Sequence, residues 1–162
     1  MRKLGVGLAL AIQLVAPSSS SAQVTVTSKG ETVASVRLGQ VPIQVKIRTH
    51  ELPNGTAAKP VKPTDSACTM SRIPCSVVDG VEIEVAGEPL FVPRSAFSDL
   101  SDLSTAKVSV NKGKYALTLV GGDASESYVV KIVFSRKRVT YRSLTSSEFP
   151  EHPLQETFYH LN

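Results

Sequence analysis

The segment 107–134, KVSVNKGKYALTLVGGDASESYVVKIVF, decides the fold class of this 162-residue chain. Apolar and polar residues alternate on both sides of NKGK at 111–114, a composition typical of a tight hairpin turn. A second turn, GGDA at 121–124, precedes a run in which every second residue from Tyr128 to Phe134 is apolar or aromatic. Alternation of this kind places one face of each strand in a core, so the segment predicts an antiparallel meander.

Similar alternating runs flank the meander on both sides. They predict further strands at 24–27, 32–38, 41–48, 80–86, 89–93, 138–144 and 156–160. One short helix is predicted after Arg94, because Ser95 suits an N-cap and the apolar residues Phe97, Leu100 and Leu103 recur at threefold spacing. The sequence therefore predicts a mainly β fold, an antiparallel meander or sandwich of about eight to ten short strands with one short helix.

Residues 1–22 have the pattern of a cleaved secretory signal. Arg2 and Lys3 provide a positive start, the stretch 4–16 is apolar apart from Gln13, and small residues lead to Ala22. The apolar stretch is shorter than the ~20 residues that a membrane-spanning helix requires. We therefore expect a periplasmic or secreted protein with a single β-rich domain at 23–162 and no transmembrane segment in the mature chain.

The net charge argues against nucleic acid as a partner. The full chain has 18 basic and 14 acidic residues, a net charge of +4. Loss of residues 1–22 removes Arg2 and Lys3 and no acidic residue, which leaves +2. A charge this small predicts no nucleic-acid binding. Export and small size lead us to expect another envelope or secreted protein as the partner. The oligomeric state is not predicted.

The two cysteines, Cys68 and Cys75, predict a disulfide, the usual state of a cysteine pair in an oxidising compartment. They lie near the end of a stretch at about 49–76 that contains several prolines and shows no periodicity. This stretch predicts a long irregular loop, which the disulfide would hold at one end.

No set of residues predicts a catalytic site. The three histidines, His50, His152 and His160, lack metal-ligand spacing, and no Gly-x-Ser-x-Gly motif accompanies them. We expect no catalytic residue, no metal and no cofactor. One alternative remains, because Glu82 and Glu84 fall on the same face of a predicted strand. The hypothesis is an envelope hydrolase or sugar-active enzyme that uses these surface carboxylates, Glu82, Glu84 or Asp123, together with a histidine.

Two groups of residues are candidates for binding a partner. The first is a polar turn with a neighbouring tyrosine; it comprises Asp123, Ser125, Glu126, Ser127 and Tyr128. The second is a set of basic residues at hairpin tips; it comprises Lys112, Lys114, Arg136 and Lys137. Alternate turns of a meander emerge at the same end of the sheet, so we expect the two basic tips to form one positive rim that could dock an acidic partner or an anionic envelope polymer.

The favoured function is that of an exported cell-envelope binding protein, for instance an inhibitor or immunity-type protein that acts on another protein. Export, small size and polar turns without a catalytic set lead to this hypothesis. The general plan resembles that of small exported lysozyme inhibitors, although Ala124-Ser-Glu-Ser-Tyr128 does not reproduce their Ser-Gly-x-x-Tyr signature. A structural module of a larger assembly is the other alternative.

Overall fold

A computed structural model describes residues 21–52, 75–111 and 113–160. It confirms a mainly β fold of ten strands in two antiparallel sheets. The strands are β1 (Ala22–Thr25), β2 (Gly30–Leu38), β3 (Val41–Glu51), β4 (Ser76–Val85), β5 (Glu88–Leu90), β6 (Leu103–Asn111), β7 (Lys114–Gly121), β8 (Tyr128–Phe134), β9 (Val139–Ser146) and β10 (Pro153–Phe158). Two short 3-10 turns, Arg94–Ala96 and Ala124–Glu126, complete the described elements.

The larger sheet has the strand order β1-β6-β7-β8-β9-β10, and the smaller sheet has the order β2-β3-β4-β5. Strands β6 to β10 are neighbours in sequence order, so this part of the sheet is the predicted meander. In the smaller sheet, a tight turn at Ala86 and Gly87 joins β4 to β5. Both residues have positive φ, at 56° and 85°, as the turns preferred in two-residue hairpins require.

The core lies between the inward faces of the two sheets. In the smaller sheet, Val45, Ile47 and Ile83 are almost fully buried. In the larger sheet, Leu117 and Phe134 are fully buried, and they belong to the alternating positions that the sequence placed on one face. Burial of each such side chain contributes about 1.5–3 kcal/mol relative to its exposure to water.

The predicted helix after Arg94 is wrong. Only the 3-10 turn Arg94–Ala96 forms there, with Pro93 as its N-cap, and Leu103 begins strand β6. The backbone beyond the turn bonds to β4 instead of continuing a helix: the Asp102 amide donates to the Ser76 carbonyl, and the Asp102 carboxylate accepts from the Ser76 amide. The threefold spacing of apolar residues did predict burial, since Phe97 and Leu100 lie in the core.

The segment 94–99 is attached to the inner side of β9 through Arg142. The Arg142 side chain is only 1% exposed, and its guanidinium donates to both carboxylate oxygens of Asp99 at 2.7 and 2.8 Å. Further bonds run to the Ala96 carbonyl at 3.1 Å and the Gln155 side chain at 3.0 Å. A buried guanidinium requires such a set of acceptors.

Several predictions fall wholly or partly outside the described residues. The predicted leader is one of them: its last residue, Ala22, begins β1, and residues 1–20 are not described. The predicted loop at 49–76 is another. The structure assigns residues 49–51 to β3 and Ser76 to β4, and residues 53–74 lie outside. Cys75 is buried and is not a free cysteine, whereas Cys68 lies outside, so the disulfide stays a prediction. Within the described ranges, no helix has the length and apolarity needed to cross a membrane.

Candidate functional site

The outward side chains of the larger sheet line up in rows where the strand pairings from β7 to β10 share one register. One row is apolar and aromatic; it runs through Ala116, Val133, Tyr141 and Phe158. The next row is polar; it runs through Lys107, Thr118, Lys131, Ser143 and Glu156. Contiguous apolar residues on the outer face of a sheet mark a contact surface, so this face is the candidate site.

A concave surface of about 450 Å³ lies across these rows, and we call it the basic groove. It is defined by Lys114, Ala116, Lys131, Val133, Tyr141 and Phe158. Ala116 and Val133 form an apolar floor, and the two aromatic rings lie on the side nearer the edge strand. A groove of this kind combines apolar contact area with charged groups at its border, the usual composition of a protein-binding surface.

Tyr141 is held in place by both neighbours on β10. Its ring contacts the ring of Phe158, with centroids 5.1 Å apart, and its hydroxyl donates to the Glu156 carboxylate at 2.5 Å. The hydrogen bond to Glu156 is the main reason why the pKa of Tyr141 is raised above its ordinary value. The aromatic wall is therefore positioned before any ligand binds, which lowers the entropic cost of binding.

The two lysines of the basic groove lie at diagonally opposite corners. Lys131 is opposite Thr118, which is four residues from Lys114 along β7. From strand geometry their Cα atoms are about 14 Å apart. Both side chains are exposed, and neither forms a salt bridge with a residue in the described ranges. Their charges are thus available to a negatively charged ligand.

The hairpin between β8 and β9 adds further positive charge at the Lys114 end. Tyr115 lies opposite Phe134, so this turn emerges at the same end of the sheet as the turn between β6 and β7. The Ser135 hydroxyl accepts hydrogen bonds from the amides of Lys137 and Arg138, which orders the turn. Arg136 and Lys137 are exposed there. Three of the predicted basic residues therefore share one end, and Lys112 lies outside the described residues.

The predicted polar turn lies at the opposite end of the same strands. Gly121 is opposite Tyr128, and the 3-10 turn Ala124–Glu126 lies between them with Asp123 as its N-cap. Strand β8 is seven residues long, so the polar turn is about 20 Å from the basic tips. Asp123 and Glu126 are exposed, Ser127 is half-buried, and the backbone of Ser125 belongs to the 3-10 turn. The structure does not bring the two predicted groups together.

Tyr128 has its hydroxyl bound within the fold. The hydroxyl donates to the Ser101 carbonyl at 2.5 Å and accepts from the Ser101 amide at 2.9 Å. Burial is the main cause that raises the pKa of Tyr128 to about 12. Gly121 makes this position possible, because a Cβ atom there would come within 2.5 Å of the hydroxyl oxygen. Tyr128 thus ties β8 to the segment that precedes β6.

Two of the residues considered for an enzyme, His50 and Glu82, are paired with neighbouring side chains on the outer face of the smaller sheet. His50 Nδ1 lies 2.7 Å from a carboxylate oxygen of Asp79, and both side chains are about half exposed. Glu82 forms a salt bridge with Arg48 at 2.6 Å. Glu84 lines a shallow cleft together with Ser35 and Gln44. Across the described ranges, no group of three or more His, Cys, Asp and Glu residues is placed to hold a metal ion.

Of the six residues that define the groove, only Lys114 was among the sequence-based candidates; the other five are Ala116, Lys131, Val133, Tyr141 and Phe158. The available signal was the apolar character of the outward positions in the meander, where Ala116 and Val133 stand on the face opposite the core residues. An outward face with apolar residues on two adjacent strands indicates a contact surface. The position of Phe158 beside Tyr141 required the register of β9 with β10, which the sequence alone does not provide.

Comparison with known proteins gives no relative for this chain. No family model, curated protein or solved structure matches it.

Proposed function

We propose that this protein is an exported, non-catalytic binding protein of the cell envelope that captures an acidic partner protein through the basic groove. The observation that carries the proposal is the presence of two exposed lysines, Lys114 and Lys131, around an apolar floor and a fixed aromatic wall; neither lysine forms a salt bridge with another described residue. An inhibitor or immunity-type role is one form that such capture would take.

The groove has the chemistry of a protein-docking site. The aromatic wall and the floor supply apolar contact area, and aromatic residues are enriched among those that carry most of the binding energy at interfaces. The lysines, together with Arg136 and Lys137 at the nearby tip, attract acidic surfaces and increase the rate of association. Because such cations are exposed, this attraction weakens as salt is added.

The alternative of a surface-carboxylate hydrolase has weaker support. Glu82 is engaged by Arg48, and the contacts of the described residues bring no histidine to Glu82 or Glu84. The close histidine–acid pair, His50 with Asp79, is about half exposed, so it lacks the water-excluded surroundings in which catalytic electrostatic interactions are strong.

The test is affinity capture from the envelope fraction of the source cells with two matched double variants. Lys114→Glu/Lys131→Glu reverses both groove charges. Lys29→Glu/Lys107→Glu makes the same change in net charge at exposed lysines outside the groove, and Lys107 lies on the same sheet face. We expect the wild type and the control to retain an acidic protein at low salt and to release it at high salt, and the groove variant to retain none.

Equal capture by both double variants would contradict the proposal, as would a partner that binds unchanged at every salt concentration. A partner lost equally from both variants would indicate attraction by net charge alone and would also contradict a role of the groove. Circular dichroism of each variant checks that the fold is retained.

The exported location and the disulfide belong to the same proposal. We expect the protein recovered from the periplasm or medium to begin at Gln23 and to have a mass that corresponds to a Cys68–Cys75 disulfide. Mass spectrometry before and after reduction measures both. Recovery of the chain from the cytosol with Met1 in place would contradict the envelope assignment.

A further inference from the structure

Most of the large apolar side chains exposed to solvent are gathered at strand β10. Six large apolar residues within the described ranges are exposed, and four lie in β10, in the turn before it or in the cleft beside it; these are Phe91, Phe149, Leu154 and Phe158. Phe91 and Phe158, at 73% and 62% exposure, line the same cleft. An exposed apolar cluster on an edge strand marks a contact surface.

The backbone of β10 is arranged to accept another strand. The Tyr159 amide donates to the Thr140 carbonyl, so Tyr159, Thr157 and Gln155 direct their backbone groups towards β9. Because the pattern alternates, the N–H and C=O groups of Glu156 and Phe158 point away from β9. Among the described strands, none lies on that side of β10.

We propose that β10 pairs antiparallel with β10 of a second copy of this chain and forms a dimer with a continuous twelve-stranded sheet. The register that fits best is centred on Phe158. It places Phe158 opposite Phe158 of the second copy, so the two exposed rings contact each other. It also places Glu156 opposite His160, where the imidazole donates to the carboxylate oxygen that Tyr141 does not use.

The register centred on Glu156 is unfavourable, because it sets the two Glu156 carboxylates directly opposite each other. A shift towards Pro153 is also unfavourable, because proline has no amide to donate and the pairing with β9 is irregular there. Self-complementarity about Phe158, in charge as well as in apolar contact, is the reason to assign the edge to a second copy. The dimer would carry one basic groove on each side of the central Phe158 pair.

This inference goes beyond the proposed function, and sedimentation velocity over micromolar to millimolar concentrations tests it. We expect the wild type to shift from monomer to dimer. Glu156→Pro removes an amide that points to the open edge and leaves the backbone hydrogen bonds with β9 intact, although the side-chain bond from Tyr141 to Glu156 is lost. We expect it to weaken the dimer about tenfold relative to Glu156→Ala, which removes the same carboxylate but keeps the amide.

In sedimentation velocity, either of two results would overturn the inference: a wild type that stays monomeric throughout, or equal dimer dissociation constants for Glu156→Pro and Glu156→Ala. Amide hydrogen exchange of the wild type provides a check that requires no variant. The amides of residues 156 and 158 are expected to gain protection as concentration rises, and exchange that does not depend on concentration would also overturn it. Capture of an acidic partner by a monomeric variant would leave the proposed function intact.

Discussion

The middle and the edge of the larger sheet are built from the same alternating pattern but serve different purposes. In β7 and β8 the inward positions, such as Leu117 and Phe134, are fully buried against the core. In β9 and β10 the inward positions include Arg142 and Gln155, and β10 is exposed or half-exposed at every residue. The middle of the sheet therefore supplies stability, whereas the edge leaves aromatic and polar groups at the surface.

This difference explains why both proposed contact surfaces lie on the same side of the molecule. Phe158 belongs to the basic groove and also to the cleft beside Phe91. A residue with this exposure contributes little to the core, so its position can be used for contacts with other molecules. The division predicts that substitutions of buried side chains, in the middle strands and at Arg142 of β9, reduce stability strongly, whereas substitutions of exposed side chains on β10 reduce it little.

The largest loss of stability is expected for Phe134→Ala. Phe134 is 0% exposed, and its ring lies 5.6 Å from that of Tyr115. The substitution leaves a cavity in the core, so we expect the free energy of unfolding to fall by about 3–5 kcal/mol. The matched control is Phe158→Ala, a loss of the same atoms at the edge, with an expected change below about 1 kcal/mol. Denaturant unfolding measures both, and equal losses would contradict the division.

The next largest effect is expected for Arg142→Leu. The substitution removes the hydrogen bonds that Arg142 donates to the Ala96 carbonyl and the Gln155 side chain. The Asp99 side chain, however, is 42% exposed and can be solvated by water. We therefore expect the free energy of unfolding to fall by about 2–3 kcal/mol, which is less than the cost of leaving a fully buried charge without a partner. Arg142→Lys keeps the charge but lacks the planar guanidinium that makes a bidentate contact, so it should restore only part of the lost stability. An unchanged unfolding midpoint for Arg142→Leu would show that the segment 94–99 does not depend on this contact.

The smallest of the three effects is expected for Tyr128→Phe, which removes both hydrogen bonds with Ser101 and should cost about 1–2 kcal/mol near neutral pH. The pKa of Tyr128 is about 12 in the folded protein, against about 10 for tyrosine in an unfolded chain. The unfolded state thus loses its proton first as pH rises. The contribution of Tyr128 is complete below about pH 10 and is lost between about pH 10 and 12.

Comparison of the unfolding free energies of wild type and Tyr128→Phe across this range measures the effect. The difference between them should shrink as pH rises from 10 to 12. A constant difference would show that the hydroxyl titrates as it does in water.

The sequence predicted the strands well, because alternation is a local property. Each of the ten strands overlaps a predicted run, and the turns at 111–114 and 121–124 lie where the composition placed them. The helix after Arg94 failed because the backbone of Asp102 bonds to Ser76, a contact between residues far apart in sequence. Local propensity has no information about such partners.

The candidate site was predicted only in part for the same reason. The placement of Lys114 beside Arg136 and Lys137 follows from the order of turns in a meander. The basic groove also requires the register of four adjacent strands, since Ala116, Val133, Tyr141 and Phe158 form one row only when each pairing is fixed. Register depends on turn geometry and on packing against the second sheet, neither of which a single strand encodes.

The most direct test of the basic groove as the docking site is photo-crosslinking from a single residue. A photoreactive phenylalanine analogue at Tyr141 would lie in the groove, and the same analogue at Val33 would lie on the exposed face of the smaller sheet. In the envelope fraction, we predict a covalent product with an acidic protein from position 141 and none from position 33. The same product from both positions, or from position 33 alone, would contradict the account.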